Sequence, residues 1–101
     1  MEITEAANAL KELGHPTRLA IFKILVKAGH VGLAVGKLQE KLNIPNSTLS
    51  HHLSKLMLVD LIRQGRDGRT LYCIPQYEHL NRLIDFLKDE CCADQTHNDK
   101  M

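Results

Sequence analysis

Asn43-Ile44-Pro45-Asn46-Ser47-Thr48-Leu49-Ser50-His51-His52-Leu53-Ser54-Lys55-Leu56 is the stretch on which the reading of this chain turns. At helical spacing Leu49, Leu53 and Leu56 fall on one narrow stripe, while Ser47, Thr48, Ser50, His51, Ser54 and Lys55 crowd the opposite side. An ordinary solvated face is rich in Glu, Lys and Gln, which favour helix, whereas hydroxyl and imidazole groups cost helix propensity. Short donors and acceptors held rigidly suit the base edges and phosphate oxygens of a DNA major groove. The plainer alternative is an amphipathic surface helix with incidental serines.

On the N-terminal side of this stretch, a short helix near Val35 to Leu42 presents Val35, Leu38 and Leu42 inward. Asn43 to Asn46 is a tight break, and Pro45 can open the next helix because a first-turn residue needs no intrahelical N–H bond. Two short amphipathic helices joined in this way, the second with a polar reading face, form a helix-turn-helix candidate. On the C-terminal side, Leu61 to Gln64 and Arg69 to Ile74 flank Gly65-Arg66-Asp67-Gly68, a β-hairpin with Asp67-Gly68 as its turn signal. Arg63, Arg66 and Arg69 sit at or beside its tip, where they could grip phosphates or a narrow minor groove. An exposed tip is often charged anyway, which is the alternative reading.

Residues 3 to 13 read as a first helix, with Ala6, Leu10 and Leu13 on one side and Glu2, Glu5 and Glu12 on the other. After Gly14, Pro16 opens a second helix to about Ala28 that is apolar on most sides and forms the core. Pro75 closes the hairpin, and residues 77 to 90 form a last helix striped by Leu80, Leu83, Ile84 and Leu87. The expected dimer interface joins the two end helices through Ala6, Leu10, Leu13, Leu80, Leu83, Ile84 and Leu87. One domain over residues 1 to 92 and a flexible polar tail over 93 to 101 follow.

Composition is compatible with this layout. The chain has 101 residues, 44% hydrophobic and 25% charged, so it fits one globular domain. Aromatics are only 4% and Trp is absent, a small core of the kind often completed by oligomerisation. No apolar run approaches the roughly 18 to 20 residues of a membrane span, and no signal pattern opens the chain, so no membrane partner and a cytoplasmic setting are expected. The three cysteines form no disulfide framework, in keeping with a reducing compartment. The net charge of +1 hides a division: residues 14 to 74 hold nine Lys or Arg against three acids, and both flanks are acidic. A basic centre is the electrostatic footprint for a polyanion. No nucleophile, base and oxyanion-donor set and no phosphate-binding glycine loop is present, so no enzyme is expected.

Leu13-Gly14-His15-Pro16-Thr17-Arg18-Leu19-Ala20-Ile21, Ser50-His51-His52-Leu53-Ser54-Lys55-Leu56 and Gly65 to Tyr72 together resemble the opening, recognition-helix and wing signatures of the ArsR type of bacterial winged-helix repressors, the arsenical-resistance and metal-sensing regulators. The resemblance covers roughly residues 5 to 90. It implies an α+β, mainly helical winged helix-turn-helix with five helices and a two-stranded wing, homodimeric through its first and last helices. It also implies a repressor on palindromic double-stranded operator DNA that lets go when an inducer binds. The DNA-contacting set is then Asn46, Ser47, Thr48, Ser50, His51, Ser54, Lys55, Arg63, Arg66 and Arg69, with His52 turned toward the Leu49 stripe as a packing or backbone-contacting residue. Two departures stand out. Leu33-Ala34-Val35-Gly36-Lys37-Leu38 replaces the Cys-x-Cys box of the family's metal sensors, and His79, Asp85 and Asp89 lack the paired spacing of its last-helix zinc site. Asp60 stands where the family has glycine, a residue type that tolerates a left-handed backbone.

What remains for sensing is Cys91-Cys92. Soft thiolates select soft ions, and a dithiol chelates trivalent arsenic or antimony. Inorganic arsenite wants a third sulfur, and Cys73 lies about 20 Å away along the last helix of its own chain, so only a partner chain could supply it. Without it the pair suits an ion with two exchangeable positions, such as a monomethylated arsenic(III). No obligatory cofactor is expected. Zinc is the weaker candidate, because His97 completes only a three-ligand Cys-Cys-x4-His set. A thiol redox switch is the rival, opposed by adjacent Cα atoms about 3.8 Å apart against a usual lower bound of about 4.4 Å for a bridge. Two further alternatives stay open: an inert cysteine pair, and a winged-helix protein-interaction module without inducer.

Overall fold

The computed structural model of the protein describes residues 1–95. Among them the order is α1 (Ile3–Leu13), α2 (Pro16–Ala28), β1 (Leu33–Ala34), α3 (Val35–Leu42), α4 (Asn46–Leu58), β2 (Ile62–Asp67), β3 (Thr70–Pro75) and α5 (Tyr77–Lys88). The helices surround one core in which Ile21, Phe22 and Leu25 of α2 meet Leu38 of α3, Leu49, Leu53 and Leu56 of α4, Leu61, Ile62 and Leu83. Each fully buried aliphatic of this kind contributes about 1.5–3 kcal/mol. The stripe expected on α4 is thus what anchors it.

The corner between α3 and α4 forms as its residues dictate. Asn43 takes the left-handed conformation at φ 52° and caps α3 by donating its N–H to the Gln39 carbonyl. The Gln39 amide then donates to the Ile44 carbonyl at 3.0 Å, holding the turn from the helix before it. Pro45 flanks α4 as its N-cap instead of occupying the first helical position. Asp60 is left-handed at φ 61°, as its side chain allows, and leads α4 into the wing.

Three features depart from expectation. The strand β1 has no counterpart in the sequence pattern, because two residues are too few to show a period. It makes the sheet three-stranded and antiparallel, in the order β1-β3-β2, pairing Leu33 with Cys73. Gly32 at φ 75° permits this approach, since a Cβ there would collide with the Cys73 carbonyl. The wing is also longer than expected. Its ladder runs from Ile62↔Pro75 to Asp67↔Thr70, which moves the turn to Gly68-Arg69. Gly68, at φ 62°, supplies the positive φ needed at the first position of a tight type II′ hairpin. Finally, α5 stops at Lys88, where Asp89 turns extended and Glu90 left-handed.

The inner face of α1 is rotated from its expected position. Ala6, Ala9 and Glu12 are buried, and Leu10 is 41% exposed. Small alanines let α1 sit close to its neighbours, and Glu12 is drawn inward by its ion pair with Arg18. Of the residues assigned to a dimer interface, Ala6 and Leu83 are therefore interior residues of their own chain, each only 2% exposed. Leu13 and Leu80 are half-buried, and Leu10, Ile84 and Leu87 are exposed.

Candidate nucleic-acid interface

The polar side chains of α4 lie on one open face. Asn46, Ser47, Thr48, Ser50, His51 and Ser54 are exposed and Lys55 is half-buried, opposite Leu49, Leu53 and Leu56. No side chain caps the start of α4, so its first-turn N–H groups stand open beside Ser47 and Thr48. Such a terminus accepts an anionic oxygen readily. The Ser54 hydroxyl donates to the Ser50 carbonyl at 2.9 Å, which orients its lone pairs outward and leaves it an acceptor toward a ligand.

The arginines of the wing separate into two groups. Arg66 and Arg69 are exposed at the end of the hairpin, with Arg69 in its turn. Arg63 pairs with Ile74 near the base, away from the tip where the sequence put it. It lines a polar groove of about 720 Å³ with Glu5, Asp60, Glu78, His79 and Arg82. In that groove His79 Nε2 of α5 lies 4.0 Å from Glu5 Oε2 of α1.

His52, beside the exposed polar face, turns the other way. It is 7% exposed and packs on the His15 ring at a centroid distance of 4.8 Å. Arg18 Nη1 lies 3.2 Å from His52 Nδ1. The same guanidinium donates from Nε to the Glu12 carbonyl at 2.6 Å and pairs with the Glu12 carboxylate at 3.4 Å. His15 caps α2 by accepting the Thr17 N–H at 3.1 Å. Burial, then His15, Arg18 and His51, hold the His52 imidazole below its ordinary pKa. Sequence reasoning turned His52 inward but missed Arg18 and Glu12. The available signal was an arginine on a helix otherwise assigned to the core.

The cysteines fall into two environments. Cys73 is completely buried in β3, and burial raises its thiol pKa against a weak donation from Gln64 at 3.8 Å. That position corrects its candidacy as a third ligand from a partner chain, because its own core seals it off. Cys91 and Cys92 are exposed just beyond α5 with their sulfurs 3.5 Å apart, in a turn where Cys92 adopts φ 65°. Among the described residues no group of three or more His, Cys, Asp or Glu side chains converges as a metal site. His97 and the tail from 96 to 101 lie outside the described residues. No described helix is long and apolar enough to cross a membrane.

Comparison with known proteins follows this geometry. Residues 13–65 match a helix-turn-helix domain family. Nodulation protein NolR of Rhizobium meliloti is 36% identical over 84 residues, covering 83% of this chain and 66% of that protein, a little under two thirds of its length. The transcriptional repressor PagR of Bacillus anthracis is 36% identical over 88 residues, covering 84% of this chain and 86% of that one. In structure, an ArsR-like transcriptional regulator from Rhodococcus superposes with a TM-score of 0.74 at 22% identity, over 84% of this chain and 77% of that one.

Proposed function

The chain belongs to the ArsR type of winged helix-turn-helix DNA-binding transcriptional regulators, and from that premise we propose a homodimeric repressor that leaves a palindromic operator when trivalent arsenic binds Cys91 and Cys92. One observation carries the DNA half of this reading. The exposed face of α4 is made of short hydroxyl, amide and imidazole groups at a helix start without a capping side chain, while the opposite face is fully spent in the core. A basic centre and exposed Arg66 and Arg69 supply the charge for phosphates. Operator DNA as the partner implies work in the cytoplasm.

The inducer half rests on the two thiols. Bonds of about 2.3 Å from each sulfur to one soft ion can span their 3.5 Å separation. With Cys73 buried, the pair offers two sulfurs to an ion, which favours a monomethylated arsenic(III) over arsenite. Binding exchanges two S–H protons for two S–As bonds, and two oxygen ligands leave the ion as water or hydroxide.

A labelled duplex from the chain's own promoter, read by fluorescence anisotropy, tests both halves. The complex should weaken steeply with salt and dissociate on titration with methylarsenite at about one ion per chain. Cys91→Ser and Cys92→Ser should bind the duplex as the natural chain does and stay bound in methylarsenite. Dissociation by peroxide alone would shift the reading to a redox switch. Binding indifferent to salt would point to a protein-interaction module.

A further inference from the structure

Arg18 touches three things at once: the Glu12 carbonyl, the Glu12 carboxylate and the His52 ring. These belong to the end of α1 and to the middle of α4, with Arg18 itself in the first turns of α2. The side chains of Arg18 and Glu12 are 12% and 11% exposed, so this is an interior joint. Arginine carries five N–H donors and no acceptor. The 3.2 Å contact to His52 Nδ1 is therefore a hydrogen bond only when that nitrogen is unprotonated, which puts the ring proton on Nε2.

We propose that Arg18 and His52 are positioning residues for operator binding, a joint that fixes the reading helix α4 against α1 and α2 and holds only while His52 is neutral. Protonated His52 would offer Arg18 a donor in place of an acceptor and set two cations face to face in a site with little water. Among the described residues, the titratable and charged groups around the ring are His15 from the α1–α2 turn, Arg18 of α2 with Glu12 of α1 behind it, and His51 of its own helix. Burial first, then His15, Arg18 and His51 around it, depress the imidazole pKa, in the direction this joint requires. The sign follows from that direction. The joint contributes fully above the ordinary imidazole range near pH 6.5, weakens as pH drops below it, and is lost once pH passes the lowered value.

His51 lies on the exposed polar face next to His52, so a test must separate the two adjacent histidines.

Two measurements on the full chain decide the matter. Imidazole nitrogen NMR at about pH 7.5 should show His52 with Nδ1 bare and Nε2 protonated, and on acidification the α4 amides should shift with the His52 midpoint. A protonated Nδ1 at that pH, or α4 amides that ignore the midpoint, overturns the joint without reference to DNA. Promoter-duplex binding is the second measurement, made in a His51→Gln background so that His52 is the imidazole left on that part of α4. Affinity should fall about tenfold between about pH 7.5 and a pH about one unit below the His52 midpoint seen by NMR. Compared with His51→Gln alone, His51→Gln/His52→Asn, whose Oδ1 replaces the Nδ1 acceptor but cannot titrate, should lose that fall whatever its absolute affinity. An unchanged fall in the double variant sinks the proposal. If the duplex is not bound at any pH, the DNA reading fails, and the NMR result still decides the joint.

Discussion

Helices α4 and α5 are nearly equal in length, 13 and 12 residues, and each carries an apolar stripe, yet the chain treats them differently. In α4 the stripe is consumed: Leu49, Leu53 and Leu56 are at most 2% exposed. In α5 only Leu83 is spent in this way, while Ile84 and Leu87 remain 43% and 58% exposed, as Leu10 and Ile3 of α1 remain exposed. A helix satisfied on its apolar side can offer an open polar face to a polyanion. A helix left half-satisfied has apolar surface to bury against another protein, and its similarity to α1 in this respect favours a second copy of the same chain.

The largest expected effect breaks that contrast at the level of folding. Leu53→Ala removes a fully buried side chain and should cost about 2–5 kcal/mol of stability in a denaturant titration. Leu87→Ala removes the same side chain from an exposed site and should cost less than about 0.5 kcal/mol, measured at concentrations where the chain is monomeric. Equal losses would mean that the burial difference between the helices has no energetic weight.

Next in size is the effect on assembly. Ile84→Glu/Leu87→Glu places two charges on the exposed part of α5 and should leave the chain folded, monomeric by sedimentation, and weaker on the promoter duplex by about 100-fold, because one of two half-sites is lost. A variant that stays dimeric would move the interface elsewhere.

The difference between the two helices also explains what the sequence could reveal. The span of α3 was legible to the residue, because Val35, Leu38 and Leu42 keep a clean period and Asn43 supplies its left-handed end. The α4 stripe was legible for the same reason. For α1, period alone misleads: Ala9 looks neutral, so Leu10 reads as inward beside Ala6 and Glu12 as outward, whereas Glu12 is buried and Leu10 is 41% exposed. The cause lies far along the chain, since Glu12 follows Arg18, and Arg18 meets His52 at a separation of 34 residues. Non-local polar pairing leaves no periodic trace. Likewise β1 is set by its pairing with β3 and by Gly32, and not by any pattern within its own two residues. At the candidate site, the exposed polar face of α4 and the adjacent thiols follow from residue type and spacing, while the Arg18–His52 contact behind that face does not.

The smallest expected effects concern the wing and decide which helix it serves. Arg66 and Arg69 project near the turn of the hairpin, remote from the acids that line the groove around Arg63. Each of the two should contact one phosphate if the wing works with α4, so Arg66→Ala and Arg69→Ala should each lower the slope of log affinity against log salt by about 0.9 and weaken binding uniformly across sequences. Arg63 lines the groove with Glu5, Asp60 and Glu78 near the start of α5, among acids that oppose a second polyanion. Arg63→Ala should leave the slope unchanged within error and alter affinity by less than about twofold. A slope that drops with Arg63→Ala but not with Arg66→Ala or Arg69→Ala would reverse the assignment, because the DNA would then run along the base of the wing and past α5. In that geometry the apolar surface of α5 would face a polyanion, an arrangement that burial energetics oppose.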